Sequence, residues 1–127
     1  MNQLAEKISD AELSIMQVLW DAEEGLSMTE LRRRVQQRTT WGSTTVKTLV
    51  QRLTAKGVLR QEKREVFYYI PLITEAEYNA SANKSFINRV YRGSARDLVA
   101  ALLRSNDLSD EDVSELRELF HVEGADE

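Results

Sequence analysis

The sequence predicts a mainly α-helical chain carrying one small β-hairpin. Three observations predict it. Helix-start signals recur along most of the chain, each ahead of an amphipathic stretch. The hydrophobic period changes from helical to alternating once, after Gly57. One helical stretch, GSTTVKTLVQRLTAKG at 42–57, has an outward side built largely of threonine.

The elements follow in order. Ser9-x-x-Glu12, Ser27-x-x-Glu30 and Thr74-x-x-Glu77 have the spacing of capping boxes, in which a hydroxyl and a carboxylate satisfy each other's backbone N–H. Ser94-x-x-Asp97 and Ser109-x-x-Asp112 are shorter-chain versions. Helices are therefore predicted near 10–22, 28–37, 75–91, 95–104 and 110–120. The sixth is the 42–57 stretch, capped by Gly42 or Ser43 and stopped by Gly57. Its Val46, Leu49, Val50 and Leu53 recur at i, i+3, i+4 and i+7, which makes one buried stripe. After Gly57, two β-rich runs, Val58–Glu62 and Val66–Ile70, flank Lys63-Arg64-Glu65 and read as a hairpin ended by Pro71. The turn holds no Gly, which leaves its geometry open.

Three helices followed directly by a hairpin have the order of a winged helix-turn-helix, in which the exposed helix reads and the hairpin is the wing. Residues 1–73 are predicted to be that DNA-binding domain, and 74–127 a helical dimerisation domain. The second segment is short for a core of its own. Its stripes, Leu98, Val99, Leu102 and Leu103, then Val113, Leu116, Leu119 and Phe120, are expected to bury against a second copy. The competing reading folds them back onto the winged domain.

Composition narrows the function. The chain has 127 residues, a formal net charge of −4 and no Cys, so disulfides, thiol nucleophiles and Cys metal sites are excluded. The opening MNQLAEKISDAELS lacks the basic-then-apolar order of a secretory signal, and no apolar run approaches a membrane span. A cytoplasmic, bacterial protein with no membrane insertion is expected. Asn79 and Asn83 stand in N-x-S triplets, read as chance matches in a cytosolic chain. His121 is the only histidine, and the carboxylates at 110–118 follow helical spacing among leucines, a solvated face. No catalytic residue, cofactor or metal is expected, and the chain is not read as an enzyme.

Charge is uneven. Residues 31–64 hold ten Lys/Arg and one acid, Glu62, whereas 72–127 are net −6. A phosphate backbone feels this local excess, not the net charge. It also explains the threonines. Thr loses χ1 freedom in a helix, so it is a poor choice for a face turned to water. In a major groove, short side chains allow close approach, and Thr offers a hydroxyl plus a methyl that meets a thymine methyl. Thr44, Thr45, Thr48 and Gln51 are the candidate base-reading residues, with Lys47 and Arg52 on the flanks for phosphate. The first-turn N–H groups at Thr44 and Thr45 suit phosphate as well. On the preceding helix, Met28, Leu31 and Val35 face inward, and Arg33, of the run Arg32-Arg33-Arg34, is a candidate phosphate contact. Lys63 and Arg64 are placed at the wing tip for phosphate or the minor groove. Phe67 and Tyr69 alternate with Val66, Tyr68 and Ile70, and one set is expected to pack on the core.

Four stretches in this order, ISDAELSIMQVLW at 8–20, TTVKTLVQRLTAKGVL at 44–59, FYYIPLI at 67–73 and KSFINRVYRGSARDLVAALL at 84–103, resemble the BlaI/MecI family of penicillinase repressors. Copper-responsive CopY repressors share the DNA-binding half. The resemblance spans roughly residues 8–120 and implies a winged-helix homodimer that binds a double-stranded dyad operator, with TACA-like half-site cores, and blocks transcription. It places Thr44, Thr45, Lys47 and Thr48 on the recognition helix and Arg64 on the wing. It also implies a membrane sensor protease as partner, with release by proteolysis in the fifth helix. Two departures stand out. The paired Cys motifs of CopY are missing, which excludes that copper sensing. The family's Asn-Phe cleavage bond corresponds here to Ala101-Leu102, so the candidate cleavage region lacks the family's bond chemistry. Two other functions are weighed against a repressor: a winged-helix regulator sensing a ligand in a polar-lined cavity within 72–120, and a winged-helix protein-interaction module that binds no DNA.

Overall fold

The computed structural model describes residues 7–124, with side chains through His121. The first six residues of the stretch read for a signal lie outside the described residues. The chain divides into two compact units, the first ending at Ser85 and the second beginning at Phe86.

In the first unit, α1 (Asp10–Ala22) starts with a complete capping box. Ser9 Oγ accepts from the Glu12 N–H at 3.2 Å, and the Ser9 N–H donates to Glu12 Oε1 at 2.9 Å. A two-residue strand, β1 (Leu26–Ser27), leads into α2 (Met28–Gln36), and then comes α3 (Ser43–Ala55). The hairpin is β2 (Leu59–Lys63) and β3 (Phe67–Pro71), one residue later than the sequence runs, with the turn at 64–66. Pro71 is itself the last paired residue, opposite Leu59. β3 is central in an antiparallel sheet of order β1-β3-β2, yet β1 pairs only with Tyr68 and Tyr69, so Pro71 lacks no needed bond on that side. β1 is too short to alternate, which is why the sequence did not show it. Gly25 permits its approach: a Cβ there would lie 2.8 Å from Ile70 Cγ1.

The core joins α1, α2, α3 and the sheet through Ile15, Met16, Leu19, Leu31, Val35, Leu53 and Leu59. The predicted stripe of α3, Val46, Leu49, Val50 and Leu53, is buried throughout. At its end, Gly57 takes φ 80°, the Gly57 N–H donates to Thr54 O and the Val58 N–H to Leu53 O. This is a Schellman stop, sealed by buried Leu53 and Val58. It turns the chain from helix into wing. Of the Phe67/Tyr69 set only Tyr69 is buried, and Phe67 stays exposed near the tip.

α4 (Glu75–Val90) opens with the predicted box between Thr74 and Glu77. Its first half belongs to the first unit. Trp20 Nε1 donates to Ile73 O at 3.0 Å, and the Trp20 ring lies 5.7 Å from that of Tyr78. The compact unit thus extends past the boundary expected at residue 73. The second unit holds the end of α4, α5 (Ala95–Arg104) and α6 (Asp110–Gly124). Arg92 and Gly93 both take positive φ between α4 and α5, and Ser94 caps α5.

Candidate nucleic-acid interface

The outward face of α3 is the centre of the candidate site. Thr44, Thr45, Lys47, Gln51 and Arg52 are exposed, and Thr48 is half-buried among them. Gly42 is the N-cap and supplies no side-chain hydrogen bond. A Cβ added there would meet nothing within 4 Å, so the helix start faces open space. An α-helix leaves its first N–H groups without helical acceptors, and among the described residues no side chain caps this start. The turn into α3 is fixed by short bonds: Gln36 Nε2 donates to Trp41 O at 3.2 Å, and Thr39 Oγ1 donates to Val35 O at 3.1 Å.

The basic residues around this face divide into two groups. Among the described residues, Arg32, Lys47, Arg52 and Lys63 have no ion-pair partner. The others are engaged. Arg33 grips Glu30 through both Nε and Nη2, and Arg34 Nε reaches the same carboxylate at 2.8 Å. The Arg33 and Arg34 bonds hold the Glu30 carboxyl at about 2, far below the ordinary range. Glu30 is therefore spent on these arginines, and the Ser27-x-x-Glu30 box is half formed: Ser27 Oγ accepts from the Glu30 N–H, with no return bond. Arg33, expected to meet phosphate, is tied to Glu30 along its side edge and keeps only its end edge for such a contact. Arg38 pairs with Asp21 at 2.6 Å. Lys56 ties α3 to the start of α1, donating to Glu12 Oε1 and to Lys7 O, each at 2.6 Å.

On the wing, Lys63 and Arg64 stand at the tip, as the sequence placed them. Glu62 bridges Arg60 at 2.8 Å and Arg64 at 2.7 Å, and Arg64 lies 4.4 Å from the centre of the Tyr68 ring. Sequence reasoning missed Glu62, Arg60 and Tyr68. The signal was present: in RQEKR the alternation puts Arg60 and Glu62 on one face of β2, with Arg64 next in that spacing at the turn.

The predicted dimerisation residues lie in the second unit. Val99, Leu102, Leu103, Leu116, Leu119 and Phe120 are exposed, and Leu98 and Val113 are half-buried. Ala101 and Leu102 lie inside helical α5, not in a loop. A groove of about 390 Å³ lies in the first unit, walled by Leu19, Trp20, Ile70, Pro71, Leu72 and Ile73, with Glu23, Glu24 and Glu75 also lining it. It is mainly apolar and not the polar-lined cavity in 72–120 that ligand sensing called for. Among the described residues no cluster of metal-ligating side chains occurs, and no helix is long and apolar enough to cross a membrane.

A helix-turn-helix with a hairpin wing and a basic, threonine-lined helix face defines the class of winged-helix regulators. The family model described as penicillinase repressor matches residues 8–121. The penicillinase repressor of Bacillus licheniformis is 35% identical over 115 residues, covering 90% of this chain and 89% of the relative. The methicillin resistance regulatory protein MecI of Mammaliicoccus sciuri is 30% identical over 122 residues, covering 95% and 98%. The solution structure of the DNA-binding domain of the repressor BlaI matches with a TM-score of 0.51 and 38% identity, over 56% of this chain and 87% of that one. The B. licheniformis BlaI monomeric form in complex with the blaP half-operator matches equally. The chain belongs to the penicillinase repressor family, whose members are DNA-binding transcriptional repressors and not enzymes.

Proposed function

We propose that the chain is a cytoplasmic, homodimeric repressor that sets α3 into the major groove of each half of a dyad operator. The observation carrying this reading is the α3 face. Its outward residues are short and uncharged at the centre, while Lys47 and Arg52 at the edges carry no intramolecular partner among the described residues. Thr44, Thr45, Thr48 and Gln51 read base edges, Lys47 and Arg52 meet the two phosphate walls, and Lys63 and Arg64 extend the footprint from the wing. The BlaI half-operator complex, at 38% identity, supports DNA as the partner.

The exposed stripes of α5 and α6 support a second copy as the other partner. Release follows from loosening or cutting that seam, because a dyad is held tightly only while both winged units are linked. A membrane sensor protease is the proposed agent and Ala101-Leu102 the proposed region. Proteases need extended backbone, so α5 must open before the bond is accessible.

The test takes the tightest site selected from a random duplex pool. Thr48→Ala should lower affinity for it by about 1–3 kcal/mol while leaving random-duplex binding in place. Lys47→Ala should weaken both and flatten the salt dependence by about one ion. An unchanged ratio of specific to random binding in Thr48→Ala would remove the threonines from base reading. A wild type that binds no duplex would leave a protein-interaction module instead.

A further inference from the structure

The wing tip carries a feature that an arginine needing only charge would not require. β2 and β3 pair Glu62 opposite Tyr68. Arg64 follows Glu62 by two residues at the turn, and the Arg64 N–H donates to Val66 O at 3.0 Å. The carboxylate, the ring and the guanidinium therefore come together by register, not by chance contact of loose side chains. Glu62 Oε2 accepts from Arg64 Nε at 2.7 Å, and the guanidinium carbon sits 4.4 Å from the Tyr68 ring centre. Tyr68 is half-buried and is anchored on its other side by pairing with Ser27. A guanidinium has a side edge, containing Nε, and an end edge made of its two terminal nitrogens. Among the described residues, the hydrogen bond of Arg64 uses Nε alone, so the end edge remains unbonded. Glu30 likewise holds Arg33, by Nε and Nη2 together along the side edge, but the aromatic ring contact belongs to Arg64.

We propose that Glu62 and Tyr68 are positioning residues that hold Arg64 with its end edge open for one bidentate contact to DNA. The inference rests on the DNA-binding reading above. Its physical basis is preorganisation: an arginine already fixed loses little rotamer freedom on binding. The ring adds a cation–π surface that leaves the hydrogen-bonding edge unused. Glu62 lies below the ordinary carboxylate range, with the Arg64 bond as first cause, as a true partner should.

Two measurements test it. In the protein without DNA, the Arg64 Nε–H resonance should be visible and exchange-protected in the wild type and in Tyr68→Phe. It should be lost to exchange in Glu62→Ala. Equal protection in all three would overturn the clamp. In titrations with random-sequence duplex, Tyr68→Ala should bind about threefold to tenfold more weakly with an unchanged salt slope. Arg64→Ala should flatten that slope by about one ion. In the Arg64→Ala background, Tyr68→Ala should cost nothing more, and Tyr68→Phe should bind as the wild type does. A Tyr68→Ala loss of equal size in both backgrounds would make Tyr68 a fold residue or a direct contact and overturn the positioning role. A wild type that binds no duplex would overturn the DNA reading itself, whereas additive variants in a protein that binds would overturn only the clamp.

Discussion

The two units treat the same side chains in opposite ways. In the first, Ile15, Met16, Leu31 and Leu53 are completely buried, and helices and sheet close around them. In the second, α5 buries no residue, and Leu103, Leu119 and Phe120 are 52%, 55% and 72% exposed. Both sequences are amphipathic, so periodicity alone does not separate them. The difference is what lies opposite. The α3 stripe faces α1, α2 and the sheet, whereas the α5 and α6 stripes have no such enclosure within their own unit. Apolar surface left together in this way is what the proposed second copy would cover. The first unit is a finished core, and the second leaves its apolar stripes uncovered within its own unit.

The largest expected effect contrasts a leucine from each. Leu53→Ala should destabilise the chain by about 2–5 kcal/mol through the cavity it leaves. That loss should not depend on protein concentration. Leu103→Ala should matter only through assembly, with an effect that fades on dilution. Urea unfolding at two concentrations separates them, and a large, concentration-independent loss for Leu103→Ala would place that residue in a closed core. Next comes the seam itself. Leu102→Asp puts a charge into apolar surface and should give a monomer by sedimentation. Its dyad-operator affinity should fall by roughly a hundredfold, because the second half-site contact is no longer intramolecular. Half-site affinity should hold. A Leu102→Asp dimer with full operator affinity would break the proposed division between a reading unit and a linking unit.

The sequence showed the helices best, because their starts are written in local chemistry. The Ser9, Thr74 and Ser109 hydroxyls each accept from the backbone N–H three residues on, and the backbone N–H of each donates to that residue's carboxylate. The α3 stripe and the Gly57 stop were equally legible, being periodicity and backbone sterics. What stayed hidden depends on partners distant in sequence. β1 is defined by Tyr68 and Tyr69, more than forty residues away. Glu30 fits a capping box by spacing and instead holds two arginines, since a strong charge-assisted bond competes with a cap for one carboxylate. The positive excess at 31–64 was visible, but not that Glu12, Asp21, Glu30 and Glu62 each engage part of it. The site is therefore more selective in its available cations than composition implied.

The smallest effect expected sharpens the contrast through pH. Glu12 is 2% exposed and belongs to the finished core. Burial raises its pKa, but the Lys56 ammonium and the Ser9 backbone N–H and hydroxyl outweigh burial and leave it below its ordinary value of 4.5. A carboxylate depressed in the folded state stabilises the fold above its unfolded value. That contribution is lost as pH falls from about 4.5 through the lower folded value. Glu30 loses its share in the window from 4.5 down to about 2, yet it is a surface group whose pairs are weakened by solvent and salt. The Glu12 carboxylate is buried and also held by the Ser9 N–H, so its share should largely persist in high salt even though Lys56 is part-exposed. Glu12→Gln should therefore flatten the acid side of the thermal stability profile, in high salt as in low. Glu30→Gln should do so only in low salt. Lys56→Ala, which strands the buried carboxylate, should cost about 1–3 kcal/mol at neutral pH. That loss should shrink as acid neutralises Glu12. If Lys56→Ala were equally harmful at pH 7 and below the Glu12 pKa, the ammonium would be acting through Lys7 O and not through Glu12.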